Sequence, residues 1–379
     1  MNILFVLYNE YGSNSSLHVH GFAKAMLERG CNVTVAIPAN KKSVKHLYEI
    51  PLYPVLTFQE VLNSSVLQDI DIIHAWTPRE CVRKFCIKIR SSYKKIKLLV
   101  HLEDNEEAIL MNAFGVDSIS DFRDDFVIPA HLSHPVKYKE FLSVCDGVTV
   151  LIETLFEFIP PNIPKTIIWP IIPQNHFQIK KNKYKLRENY GISKNCFVLS
   201  YTGNVHSSNR DEVRSLYLAV ALAYREGMDI RLLRTGEDHV DFYENKNRWD
   251  LSPFIELGFV EYGEIASVLA ISDLLVQPGN STIFNDYRLP SKLPEFFCAG
   301  KPVALPNTNL AKYLRNGEDA IIMSKGNALD ILNAIVKIRH NPQLSKKLSK
   351  NGKEFQVKNF GKSNQIKLYD FYTNITGNK

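Results

Sequence analysis

The residues best suited to chemistry stand between positions 285 and 303, in the run Asn-Asp-Tyr-Arg-Leu-Pro-Ser-Lys-Leu-Pro-Glu-Phe-Phe-Cys-Ala-Gly-Lys-Pro-Val. Pro290 and Ser291 mark a helix start, Gly300 its end, and Pro302 and Val303 the opening of a strand. Lys292 then falls in the first turn and Glu295 one turn later on the same face. A lysine there can bind phosphate oxygens, and a carboxylate beside it can accept two hydrogen bonds from ribose hydroxyls. A surface ion pair along a helix is the plain alternative.

A second loop, from Tyr201 through Gly203, Asn204 and Asn209 to Arg210, has the same logic of strand, glycine turn and helix start. An arginine there suits a diphosphate, whose charge it can neutralise bidentately, although an exposed helix-start arginine fits equally well. A third loop, Tyr11-Gly12-Ser13-Asn14-Ser15-Ser16, follows the first strand. Its single glycine and small hydroxyls allow close approach of a phosphate. It is neither a GxGxxG nor a Walker A loop, and a Gly/Ser turn capping a helix explains it as well. The segment His101-Leu102-Glu103-Asp104 closes another strand, where a histidine and carboxylates could touch a sugar or an acceptor hydroxyl, His101 first and Asp104 second. His18 and His20 are further acceptor candidates, with solvent-facing histidines as the commoner case.

These loops need strands to carry them. The first third alternates β-branched runs with amphipathic stretches, which predicts parallel strands joined by crossover helices. Strands are expected at 3–8, 32–37, 71–76, 98–102 and 148–152, with helices from about Ser16 to Gly30 and over 138–145. Proline density over 158–175 places a hinge there, since neither a helix nor a sheet interior tolerates it. A second series follows: strands at 198–201, 230–234, 254–260, 274–277 and 303–305, with helices at 210–226, 265–272 and 293–299. After 327 the chain reads as helical and lysine-rich. With 379 residues and roughly 150 per domain, two domains are expected.

The segment at 285–303 resembles the nucleotide-binding signature of the retaining GT-B glycosyltransferases of the large group 1 (family 4-like), which includes bacterial polysaccharide and glycoconjugate enzymes. Glu295, Cys298-Ala299-Gly300 and Lys301-Pro302-Val303 match that signature. The family's first glutamate falls at Tyr287, where the donor sugar is usually contacted, so Asn285 or Asp286 takes its place or the loop works differently. Val260, the stretch 270–278, Gly317-Glu318-Asp319-Ala320, Asp71-Ile72-Ile73-His74 and Asp146-Gly147-Val148-Thr149 extend the resemblance over most of the chain.

The resemblance implies an α/β, GT-B chain of two Rossmann-like, doubly wound domains facing a cleft. Residues 1–172 would bind the acceptor, 173–360 the nucleotide sugar, and a helix at 361–379 would pack back toward the N-terminal domain. It implies a hexosyltransferase that retains anomeric configuration, moving a sugar from a UDP- or GDP-linked donor to a glycan or lipid-linked acceptor. Arg210, Lys292, His101 and Asp104 would be catalytic. Gly12, Ser13, Gly203, Asn204, Gly236, Phe259, Val260, Asn285, Asp286, Ser291, Leu293 and Glu295 would bind the donor. No cofactor or metal is expected: the two cations meet the leaving diphosphate, and Asp69-Ile70-Asp71, though DxD in spacing, enters a strand. A sugar-nucleotide 2-epimerase and a catalytically silent partner subunit are the alternatives.

The six cysteines are scattered without CxxC or Cys/His spacing, giving neither a zinc site nor a disulfide framework. Apolar runs are strand-sized, and the opening one lacks the basic region of a signal peptide, so a cytoplasmic protein is expected. Arg83, Lys84, Lys88, Arg90, Lys94, Lys95 and Lys97 share one stretch without an intervening acid, which suggests peripheral contact of 83–97 with anionic lipid on the inner membrane face. One short basic block of this kind does not suggest nucleic-acid binding.

Overall fold

The computed structural model describes residues 1–47, 49–123, 126–173, 177, 179 and 182–377. Positions 174 and 175 of the expected hinge, and 378 and 379 of the expected terminal helix, lie outside the described residues. The chain divides into two compact units, Met1–Ile171 with Tyr287–Leu289 and Phe360–Lys379, and Ile172–Asp286 with Pro290–Asn359. Residues 287–289 and 360, expected in the second domain, thus group with the first.

The first unit comprises β1 (Asn2–Leu7), α1 (Asn14–Glu28), β2 (Asn32–Ile37), β3 (Val55–Thr57), α2 (Phe58–Asn63), β4 (Ile72–Trp76), α3 (Glu80–Ser92), β5 (Lys97–Leu102), α4 (Glu106–Phe114), α5 (Lys137–Ser143), β6 (Gly147–Val150) and β7 (Lys165–Ile167). Its seven strands pair in parallel in the order β3-β2-β1-β4-β5-β6-β7. A parallel strand covered on both faces must be apolar on both, which is why Ile3, Leu4, Phe5, Val6 and Leu7 are all buried in β1.

The second unit comprises α6 (Lys183–Glu188), β8 (Phe197–Thr202), α7 (Arg210–Arg225), β9 (Ile230–Thr235), β10 (Phe254–Glu256), α8 (Tyr262–Ala270), β11 (Leu274–Val276), α9 (Lys292–Cys298), β12 (Val303–Pro306), β13 (Ile321–Met323), α10 (Ala328–Arg339) and α11 (Pro342–Asn359). Its six strands are also parallel, in the order β10-β9-β8-β11-β12-β13. The last helix, α12 (Lys362–Thr376), belongs to the first unit. Its Leu368 and Tyr372 lie in one buried cluster with Phe5, Phe22 and Trp76, and Gln365 Nε2 donates to the Ala25 carbonyl at 2.6 Å.

Several elements differ from expectation. Helix α1 starts at Asn14 because Ser13 caps it: the Ser13 hydroxyl accepts from the Ser16 amide, and Ser16 bonds back. Strand β7 lies inside the proline-dense stretch, at the sheet edge and directly after Pro164, whose carbonyl accepts from Val148. An edge position tolerates flanking prolines that an interior strand would not. Strand β10 ends at Glu256, so Phe259 and Val260 stand in the loop that follows. The basic stretch also meets acids from beyond its own span: Arg83 and Lys84 pair with Glu80, and Arg90 and Lys97 with Asp146. No helix among the described residues is long and apolar enough to cross a membrane.

Candidate functional site

In an open doubly wound sheet the chain leaves neighbouring strands in opposite directions where the order reverses, opening a crevice at their carboxyl ends. The sheet orders place that point between β1 and β4 in the first unit and between β8 and β11 in the second. The expected loops at 11–16, 203–210 and 285–292 follow β1, β8 and β11, respectively.

In the first unit the polar groups are turned on one another. Buried Glu103 accepts from His18 Nδ1 at 2.9 Å, from Trp76 Nε1 at 2.9 Å and from the Ser15 hydroxyl. Burial alone would raise its carboxyl, but the His18 bond and the nearby imidazoles hold it down at about 2. His101 is fully buried, stacked on Trp76 with ring centroids 3.9 Å apart, and its Nδ1 pairs with Thr149 Oγ1 at 2.7 Å. Burial pushes its imidazole down to about 3, so it is neutral at physiological pH. The same Thr149 hydroxyl meets His74 Nε2 at 2.9 Å, and His74 Nδ1 meets Tyr372 OH at 2.7 Å.

His101 was expected to contact a substrate; in this structure it is enclosed, and any such contact requires the covering side chains to move. Asp104 is partly buried, and burial together with the negative charge of Glu103 pushes its carboxyl up to about 7. His18 and His20, the further acceptor candidates, are both buried rather than solvent-facing, His20 pairing with Tyr53 OH at 2.7 Å. Gly12 takes a φ of 111°, and Ser13, the helix cap, also donates to Asn9 Oδ1 at 3.2 Å. Asp71 Oδ2 accepts from the Asn2 amide at 2.8 Å, a structural role for that acid.

One further feature of this crevice gave no sequence signal. Thr77, directly after β4, has a φ of 76°, a left-handed conformation that β-branched residues rarely adopt. Its amide donates to the His101 carbonyl at 3.1 Å. A strained residue where two strands end is the kind of feature that clusters at functional sites.

In the second unit two glycines let two strand ends approach. Gly236 has a φ of 102°, and a Cβ there would lie 2.4 Å from the Gly203 carbonyl carbon and oxygen. No side chain fits that gap, and the Gly236 amide donates to Gly258 at 2.6 Å. Gly203, with a φ of 137°, would put a Cβ 3.2 Å from Lys292 Nζ, so the lysine lies directly over the glycine turn. Lys292 also sits 4.5 Å above the Tyr201 ring, with Nζ 3.4 Å from the Tyr201 hydroxyl. Asn204 Oδ1 accepts from the Glu237 amide at 2.9 Å, tying the loops after β8 and β9 together.

Glu295, on α9 with Lys292, is partly buried. Burial pushes its carboxyl up to about 7, against the lowering effects of a Tyr262 hydrogen bond and of Lys292. Ser291 precedes α9 without a side-chain capping bond, and the Leu293 side chain is buried, so position 293 can offer a ligand only its backbone. Arg210 is exposed and pairs with its neighbour Asp211 at 3.0 Å. Phe259 is 64% exposed and Val260 half-buried.

The residues expected to replace the missing glutamate are engaged elsewhere. Asn285 is buried, its side-chain amide donating to Glu212 Oε1 and to the Asn280 carbonyl at 2.9 Å. Asp286 accepts from the Ser281 hydroxyl at 2.5 Å. Tyr287, at the position of that glutamate, lies in the first unit with its ring 5.5 Å from Phe158. The carboxylate beside this loop belongs to Glu212 of α7, within 3.3 Å of where a Gly279 Cβ would stand. Sequence spacing hides it, because positions 212 and 285 meet only through the fold.

Comparisons with known proteins bear on the fold and on residues 196–341. Residues 196–341 match the family model described as Glycosyl transferases group 1. HepE of Anabaena, solved with UDP and glucose, is 16% identical with a TM-score of 0.73, over 99% of this chain and 100% of that one. Sucrose-phosphate synthase from Thermosynechococcus elongatus is 13% identical with a TM-score of 0.76 over the whole of both chains. WaaG, a glycosyltransferase involved in lipopolysaccharide biosynthesis, is 14% identical with a TM-score of 0.66, over 98% and 99%. No curated protein matches the chain in sequence. The chain therefore has the GT-B fold, and its residues 196–341 are similar to the glycosyl transferases group 1 family.

Proposed function

We propose that the protein is a glycosyltransferase that takes its sugar from a UDP-linked donor held by the second unit and transfers it, with retained anomeric configuration, to a glycan or lipid-linked acceptor. The observation that carries this reading is Lys292 over the Gly203 turn, with Glu295 one turn further along the same helix. A diphosphate seated on the turn meets the positive end of α7 and the lysine ammonium together. As the bond from the sugar to the diphosphate breaks, negative charge grows on the departing oxygen, and a fixed cation there stabilises the transition state more than the ground state. In this reading Glu295 accepts from ribose hydroxyls, which requires its ionised form.

In the first unit, Asp104 with a carboxyl near 7 has the proton affinity suited to taking the proton from an acceptor hydroxyl. The choice of UDP follows HepE, solved with UDP-glucose. Retention of configuration rests on the family resemblance of the signature at 285–303.

A thermal-shift series with UDP, GDP, ADP and CMP tests the reading. UDP is expected to raise the melting temperature most, and Lys292→Ala and Glu295→Ala to weaken that rise. No stabilisation by any nucleotide would overturn the donor site.

A further inference from the structure

Beside the glycine turn stand two histidines that the proposed chemistry has not used. His206 follows β8 and His239 follows β9, and their rings stack face to face, centroids 4.7 Å apart with planes 8° from parallel. The stack is held by backbone: the Val205 amide donates to the Glu237 carbonyl at 2.9 Å, and the His239 amide donates to the Val205 carbonyl at 2.9 Å. Asn209 Oδ1 accepts from the His206 amide at 2.7 Å, and Asn204 Nδ2 meets His239 Nε2 at 3.3 Å. Both residues are exposed, and Lys292 is close enough to act on His206 electrostatically.

Two imidazoles in ring contact beside an ammonium cannot both carry charge without strong repulsion. His206 accordingly holds its proton more weakly than an ordinary histidine, through partial desolvation first, then His239, then Lys292. The acids nearby do not relieve this. Asp238 is paired with Arg234 at 2.7 Å and Asp211 with Arg210 at 3.0 Å, while exposed Glu237 is fixed in the adjoining loop through its backbone. Beside the cluster lies the Gly203 turn, where the donor reading seats the diphosphate under Lys292.

We propose that His206 and His239 are diphosphate-binding residues of the donor site, one of the pair taking a proton from solvent as the anion binds. The proposal rests on the donor reading above and deepens it. An anion on the Gly203 turn reverses the local field, so the imidazole that was hard to protonate becomes easy to protonate. The folded, ligand-free protein therefore binds fewer protons than the complex, and affinity rises as pH falls through the histidine range. Glu295, with its carboxyl near 7, works in the opposite sense, because its ribose-binding form is lost at low pH. The signal of the imidazoles is thus the difference between wild type and a variant that lacks them.

The experiment is calorimetric titration of the full chain with UDP-glucose between pH 5.5 and 8. Its diphosphate is a diester and does not itself titrate in that range. Wild type is compared with the His206→Asn/His239→Asn double variant, each also in a Glu295→Gln background. In that background the wild-type pair is expected to give roughly tenfold tighter binding at pH 5.5 than at pH 8, and the double variant less than about twofold. Repeating the titration at pH 6.5 in two buffers of different ionisation enthalpy should show net proton uptake only where the histidines are present. Equal pH slopes and equal proton uptake in the two proteins would overturn the histidine assignment while leaving the donor site standing. Failure of UDP-glucose to bind at any pH would overturn the UDP reading and this proposal with it.

Discussion

The two units use one sheet order and therefore one kind of crevice, yet they treat their polar groups in opposite ways. In the first, Glu103 is buried and takes three side-chain donors, while His101 is sealed against Trp76 and Thr149. In the second, Lys292 lies on a glycine turn, and His206, His239 and Arg210 are exposed. A strand order reversal fixes where a ligand can sit, but whether the side chains there await one depends on what else has claimed them. The first crevice is organised mainly by its own hydrogen bonds; the second lays a lysine over a glycine turn and leaves Arg210, His206 and His239 exposed.

This contrast can be broken most severely at Glu103. Glu103→Leu leaves the Trp76, His18 and Ser15 donors buried without their acceptor, and a loss of about 3 kcal/mol or more in urea unfolding is expected. Wild type should carry the matching pH signature. Because the folded carboxyl lies near 2, below its unfolded value, the stability it contributes is complete above the ordinary carboxylate range and disappears as pH falls toward 2. The Leu variant should lack that acid-sensitive component. A stable variant with an unchanged acid limb would mean that the three donors find other partners.

Next in size is Gly236→Ala, which combines a left-handed backbone with a Cβ 2.4 Å from the Gly203 carbonyl. A cost of about 2–3 kcal/mol is expected, with loss of nucleotide-induced stabilisation because the Gly203 turn shifts. An unchanged melting temperature would show that the two loops can part freely. Lys292→Ala should leave urea stability within about 1 kcal/mol while weakening UDP by roughly tenfold or more, as expected for loss of one charge-assisted hydrogen bond. If Lys292→Ala instead unfolded the protein, the lysine would be structural and the open character assigned to the second crevice would be wrong.

The smallest effect is expected at Glu295. Its folded carboxyl lies near 7, above its unfolded value, so its contribution is complete below the ordinary carboxylate range and is lost as pH rises through 7. Glu295→Gln should therefore be more stable than wild type at pH 8, with the gain shrinking at pH 5, while binding nucleotide more weakly. Urea melts at the two pH values measure this, and a gain independent of pH would exclude ionisation as its cause.

Much of this architecture was legible in the sequence because its signals are local. A parallel strand buried on both faces is a short apolar run, as in 3–7, and a glycine marks a turn wherever it falls. The position of Lys292 one turn before Glu295 follows from helical spacing alone. Short edge elements such as β3 and β7 escaped notice, since three residues carry no readable alternation and prolines flank the second of them. Residues 254–260 read as one strand although pairing with β9 stops at Glu256, because the pairing partner and not the apolar run decides where a strand ends.

The sequence by itself determined two alternating α/β series, the glycine turns that follow their strands, and the lysine and glutamate on one helix face. Only the tertiary structure decided which charges are free to act. Glu103 gathers donors from positions 15, 18 and 76, Asn285 gives its amide to Glu212, and His206 meets His239 across two loops. Burial and electrostatic pairing depend on distances between residues far apart in the chain. Periodicity and spacing record only the neighbours along it.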